Sequence, residues 1–125
     1  MKKVLVYIFL SMLAASCGQD YNSTSGDFGQ YAPIEGIDSS TEDGTRLLAA
    51  YKVMRTKCFS CHGDWAEFKS SEAWIATGRV SAGNSVGSTL FIKILDGTMP
   101  PPSAAQMVGE ETSKIQAWID GIPVL

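Results

Sequence analysis

Histidine and cysteine are scarce in this 125-residue chain, which has one histidine, His62, and three cysteines, Cys17, Cys58 and Cys61. A structural zinc site needs four ligands, and the chain offers no second cysteine and histidine pair to complete one. Long runs of one charge sign are missing too, and 13 acidic residues outnumber 10 basic ones. Because proteins bind nucleic acid through clustered basic side chains, we expect no nucleic-acid partner.

A long hydrophobic run is also absent, since no apolar stretch reaches the roughly 20 residues that a membrane-spanning helix requires. The basic residues Lys2 and Lys3 instead precede a short apolar run over residues 4–15. This order predicts a signal peptide over residues 1–16 and therefore an exported protein.

The end of that leader, Leu13-Ala14-Ala15-Ser16-Cys17, resembles a bacterial lipobox, in which the cysteine is lipidated and becomes the mature first residue. Ala14 stands where that pattern prefers leucine, and ordinary signal-peptidase cleavage, which would leave Cys17 a free thiol, is the alternative. Lipidation would leave no cysteine unassigned. We therefore predict a periplasmic protein anchored to a bacterial membrane through Cys17. Residues 17–43 are rich in Gly, Ser, Asp and Asn, which is typical of a flexible linker.

The stretch Cys58-Phe59-Ser60-Cys61-His62 carries the clearest chemical signal in the chain. Two cysteines at this spacing followed by histidine are typical of a c-type haem attachment site. Each thiol can add to one vinyl group of a haem, and the histidine can then bind the iron. A redox disulfide, a zinc half-site and a structural disulfide are the alternatives, although no βαβ pattern surrounds the pair.

Periodic apolar residues predict about four short helices and an all-α domain over residues 44–125. The predicted helices cover residues 44–57, a segment from Ser70 or Ser71 to Ala76, Thr89–Leu95, and about 110–121. The segment Thr89–Leu95 also has the β-branched content of a strand. We predict a helix there because Ser88 and Gly97 flank it and no partner strand is evident.

Met99 precedes three consecutive prolines, which predicts a stiff, extended loop. A thioether is a soft ligand that suits haem iron opposite a histidine. Met107 is the rival, although it precedes a predicted helix and has no such loop. Met54 lies on the first predicted helix, where a core position is expected.

Taken in order, these features resemble the class I cytochrome c domain, in particular small bacterial single-haem domains. The resemblance covers about residues 44–125. It rests on the Cys-x-x-Cys-His motif, supported by a Gly-rich loop, a short helix, a Met-Pro loop and a Trp-Ile helix. In this chain they are Ser81–Gly87, Thr89–Leu95, Gly97–Pro102 and Gln116-Ala117-Trp118-Ile119.

The resemblance implies one covalent haem c bound through Cys58 and Cys61, with His62 and Met99 as axial ligands. It implies one-electron transfer without enzymatic activity, in a monomer that docks transiently with redox partner proteins. If Met99 does not bind, a haem sensor or a minor peroxidase-like enzyme with an open iron position is the alternative. Relatives often have a proline after the haem histidine whose carbonyl orients the ring. Here no proline lies between His62 and Met99, so we expect another carbonyl in that role.

Two further residues are candidates for contact with haem. Trp65 lies close to His62 in sequence, and its indole N–H can reach a propionate or its ring can pack in the core. Arg79 is a candidate propionate partner by its charge.

Overall fold

The computed structural model describes residues 32–124, which form four α-helices, one 3₁₀ helix and no strand. The predicted all-α class is therefore confirmed for this part of the chain. The predicted signal peptide, Cys17 and the first part of the predicted linker lie outside these residues. The elements in chain order are α1 (Glu42–Lys57), the 3₁₀ helix (Gly63–Glu67), α2 (Ser71–Ala76), α3 (Thr89–Leu95) and α4 (Gly109–Asp120).

Helix α1 begins at Glu42, two residues before the predicted start, because Thr41 caps it. The Thr41 hydroxyl accepts a hydrogen bond from the Gly44 N–H at 3.0 Å and so satisfies one of the free amides of the first turn. Acidic residues occupy the first turn and basic residues the last, as the helix dipole favours. The helix ends at Lys57 and thereby delivers the chain directly to Cys58.

The core lies between α1 and α4, which pack along one another. Both helices bury an apolar face, and of the smaller helices α2 contacts α1 and α3 contacts α4. The Trp74 ring of α2 meets the Trp118 ring of α4 edge to face, with ring centroids 5.7 Å apart. Fully or almost fully buried residues of the two long helices are Leu47, Leu48, Ala50, Tyr51, Val53, Met54, Ile115, Trp118 and Ile119.

A buried chain of hydrogen bonds joins three of the helices. The Trp118 indole N–H donates to the Ser71 hydroxyl at 2.9 Å, and that hydroxyl donates to the Asp43 carboxylate at 2.7 Å. The bonds link α4 through α2 to the first turn of α1. Because a buried donor without a partner is costly, Ser71 stabilises both the tryptophan and the arrangement of the helices.

Helix α3 forms as predicted. Leu90 and Phe91 are buried, whereas Leu95 is 61% exposed. The helix has only seven residues, so its last turn extends beyond the core. No helix within residues 32–124 has the length and apolar character to cross a membrane.

Candidate functional site

One cleft brings together all four of the predicted site residues that the structure describes. Cys58, Cys61, His62 and Met99 line the same opening, which has about 820 Å³ of empty space including the part open to solvent. The remaining lining residues come from the end of α1, the cysteine motif, the 3₁₀ helix, the loop after α2, α3, and the proline loop (residues 96–108, between α3 and α4). They are Lys57, Ser60, Trp65, Arg79, Thr89, Leu90, Lys93, Ile94, Pro100, Pro101 and Ala104.

A tight turn after α1 presents the Cys-x-x-Cys-His motif to this cleft. The Cys58 N–H donates to the Met54 carbonyl at 2.7 Å, which continues the helical bonding by one residue. The Cys58 carbonyl then accepts from the N–H groups of Cys61 and His62, at 3.1 and 2.9 Å. Both thiols are free. The backbone of this turn is therefore held at Cys58, and three reactive side chains project from it within five residues.

The two thiols differ in their surroundings. Cys58 is partly buried against the core, and burial raises the pKa of its thiol to about 11. Cys61 is exposed to solvent. Because the thiolate is the reactive form, Cys58 stays largely unreactive until the pH approaches its raised pKa.

In the haem-free chain, we therefore expect iodoacetamide to modify Cys61 well before Cys58 near pH 8. Modification of Cys58 should accelerate as the pH rises toward about 11. Tandem mass spectrometry of the alkylated peptide measures each site, and a partly denatured sample serves as the control because it exposes both thiols. Equal rates at both cysteines in the folded chain would contradict the buried environment of Cys58.

The His62 ring is held by an aromatic contact instead of the expected carbonyl. It stacks on the Trp65 ring, with ring centroids 4.1 Å apart and planes 14° from parallel. Within residues 32–124, no hydrogen bond is made by the His62 ring nitrogens. Trp65 is itself fixed edge-on against the buried Trp74 at 5.3 Å. The stacked indole thus sets the plane of the imidazole.

Trp65 also carries a buried indole N–H that has no hydrogen-bond partner in the described part of the chain. Such groups are rarely left unpaired in proteins. The Arg79 guanidinium lies over the same ring, 5.6 Å from its centroid, and lines the same cleft. One wall of an otherwise apolar cleft therefore offers a cation and a free donor, which suits an apolar ligand with carboxylate groups.

Met99 is the methionine that reaches this cleft. It is 43% exposed and lines the opening. Its rival Met107 packs half-buried against the core, and Met54 is fully buried within α1. The Met99 N–H donates to the Lys93 carbonyl at 2.9 Å, so the proline loop begins from the end of α3.

No protein-family model, curated protein or solved structure matches this chain. The function of the cleft is therefore inferred from the residues that line it.

Two residues that the sequence analysis did not assign to the site help to hold its walls. Lys57, the last residue of α1, has a side chain that is only 12% exposed and pairs with Glu111 of α4 at 3.2 Å. Gln106 forms hydrogen bonds to three carbonyls of the proline loop. The Lys57 pair joins segments that are distant in sequence, so residue spacing carries no signal for it. The Gln106 side chain instead bonds to carbonyls two to six residues before it.

Proposed function

We propose that the protein transfers single electrons through one covalently bound c-type haem. Cys58 and Cys61 would form the thioether bonds, and His62 and Met99 would bind the iron from opposite sides. The observation that carries this proposal is the presence of all four side chains in one apolar cleft, although the 3₁₀ helix and two α-helices lie between His62 and Met99. Thiols, imidazole and thioether are the donor set that this cofactor requires.

The residues of the cleft fit the rest of the group as well. The haem would supply an iron that changes oxidation state by one electron. Trp65 would hold the His62 ring in a fixed plane, and its free N–H would act with Arg79 on the propionates. The apolar lining from α3 and the proline loop would exclude water from the metal ligands. Because the ferric state carries one more positive charge than the ferrous state, this exclusion would disfavour the ferric state.

The proposal extends to where the domain works. A lipid on Cys17 would tether it to the periplasmic side of a bacterial membrane, with the segment between Cys17 and the folded domain acting as the tether. The protein would act as a monomer and meet its redox partners in small, transient contacts. We expect mass spectrometry of the N-terminal peptide to find acyl chains on Cys17 of the wild-type protein and none in a Cys17→Ser variant. A mature wild-type chain without acyl chains on Cys17 would contradict lipidation.

Carbon monoxide binding separates the electron carrier from the haem sensor or peroxidase-like alternative. The full chain is produced together with haem-attachment machinery, and its absorbance is followed during a reductive titration. We expect one reversible one-electron transition and no spectral change when carbon monoxide meets the ferrous protein, because both axial positions are filled. Rapid binding of carbon monoxide would show an open iron position and would contradict the carrier function.

A further inference from the structure

The loop that carries Met99 has few backbone donors of its own, and the Ala104 N–H, which donates to the Pro101 carbonyl at 2.8 Å, is one of them. Pro100, Pro101 and Pro102 have no N–H groups, so this stretch offers only carbonyl oxygens for hydrogen bonding. The Met99 N–H donates to α3, which holds only the beginning of the loop. The carbonyls beyond it need donors from outside the proline stretch, since unpaired carbonyls leave a loop poorly defined.

The Gln106 side chain supplies further donors, in addition to the Ala104 N–H on the Pro101 carbonyl. Its amide nitrogen lies 2.9 Å from the Pro101 carbonyl, 2.9 Å from the Ala104 carbonyl and 3.4 Å from the Pro100 carbonyl. All three neighbours are acceptors, and the amide nitrogen is the donor end of glutamine. The Gln106 amide group thus contacts three carbonyls of the loop on the C-terminal side of Met99.

Lys57 connects Gln106 to α1, the helix that precedes the cysteine motif. Its ammonium group donates to the Gln106 carbonyl at 2.8 Å and pairs with Glu111 at 3.2 Å. Glu111 in turn accepts from the Val108 N–H at 2.9 Å, at the start of α4. The backbone of Gln106 is therefore fixed to the residue immediately before Cys58. The two sides of the cleft share this anchor.

We propose that Gln106 is a positioning residue for Met99, an inference that rests on the proposed function. It acts through the loop and does not touch the cleft ligands. Its hydrogen bonds keep the loop in the one arrangement that presents the thioether to the iron. Without them, arrangements in which Met99 has left the iron become more populated, and a competing ligand binds more tightly in proportion.

Imidazole competition measures this population in the haem-loaded full chain. Ferric wild type, Gln106→Leu and Gln106→Glu are titrated with imidazole while the long-wavelength ferric band of methionine ligation is followed. Leucine removes the donors, and glutamate keeps the size but places acceptors against the carbonyls. We expect the apparent affinity for imidazole to rise about fivefold to tenfold in both variants, the equivalent of roughly one net hydrogen bond. Gln116→Leu, on an exposed position of α4, is the matched control and should bind as wild type does.

The outcomes separate the two proposals. If the wild-type protein shows the band and both Gln106 variants bind imidazole with the wild-type affinity, the proposed role of Gln106 is overturned. Axial ligation by Met99 is then unaffected. A wild-type protein without that band would overturn axial ligation by Met99, and this inference with it. Urea unfolding measures the global stability of each variant, so a general loss of stability can be told apart from a change in imidazole affinity.

Discussion

Replacement of Met99 by alanine is expected to abolish the long-wavelength ferric band and to lower the reduction potential. A thioether stabilises the ferrous iron, and its loss leaves water or a harder ligand that favours the ferric state. The expected fall is on the order of 0.1 V, a fraction of the roughly 0.8 V that axial ligation spans. The ferrous variant should also gain the ability to bind carbon monoxide. Absorbance spectra and a potentiometric titration measure all three effects.

Met107→Ala is the matched control for that substitution. Met107 lies eight positions further along the chain and packs half-buried against the core, away from the lining of the cleft. We expect its variant to keep the ferric band and the potential and to lose some stability from the missing core contacts. If Met107→Ala removed the band while Met99→Ala retained it, the assignment of the axial ligand would be reversed.

Replacement of Gly44 by alanine is expected to destabilise the domain strongly. Gly44 is buried in the first turn of α1, and an added Cβ would lie 1.8 Å from the Asp38 carbonyl oxygen. The same Cβ would lie 2.9 Å from the Thr41 hydroxyl that caps the helix. The closest atom belongs to the backbone, so a side-chain rotation cannot relieve the clash. The free energy of unfolding should fall by about 3 kcal/mol, the upper end of typical overpacking costs.

Gly109→Ala provides the comparison at the start of the other long helix. Gly109 is the first residue of α4, and an added Cβ would meet nothing within 4 Å. Alanine has a higher helix propensity than glycine by about 1 kcal/mol in a helix interior, so this variant should match or slightly exceed wild-type stability. Urea unfolding followed by circular dichroism measures both variants. Equal stability of Gly44→Ala and Gly109→Ala would show that the segment before α1 does not pack against it as described.

The sequence was sufficient for features that depend on local order. Apolar periodicity predicted the helices within one or two residues, and flanking residues were enough to favour a helix for Thr89–Leu95. A proline run beside a methionine predicted which thioether would stand on an exposed loop. Each of these signals arises from neighbours within one or two turns of the chain, where steric and capping preferences act directly.

Two features were missed, one of them local and one that depends on tertiary packing. The sequence analysis sought a carbonyl to orient His62, whereas the ring stacks on Trp65, three residues further along the chain. Both residues belong to the turn of a 3₁₀ helix that the sequence analysis did not predict. Ile37 was expected in a flexible linker, yet it is buried in the core. Its burial depends on a surface assembled from other elements.

Covalent retention of haem in the full chain tests the central proposal most directly. The wild-type protein and a variant with both Cys58→Ala and Cys61→Ala are produced with haem-attachment machinery and then fully denatured. The mass and the Soret absorbance of each denatured chain are measured. We predict that wild type keeps one haem through denaturation and that the double variant keeps none. A denatured wild-type chain with no Soret absorbance and no added mass would contradict the proposed function.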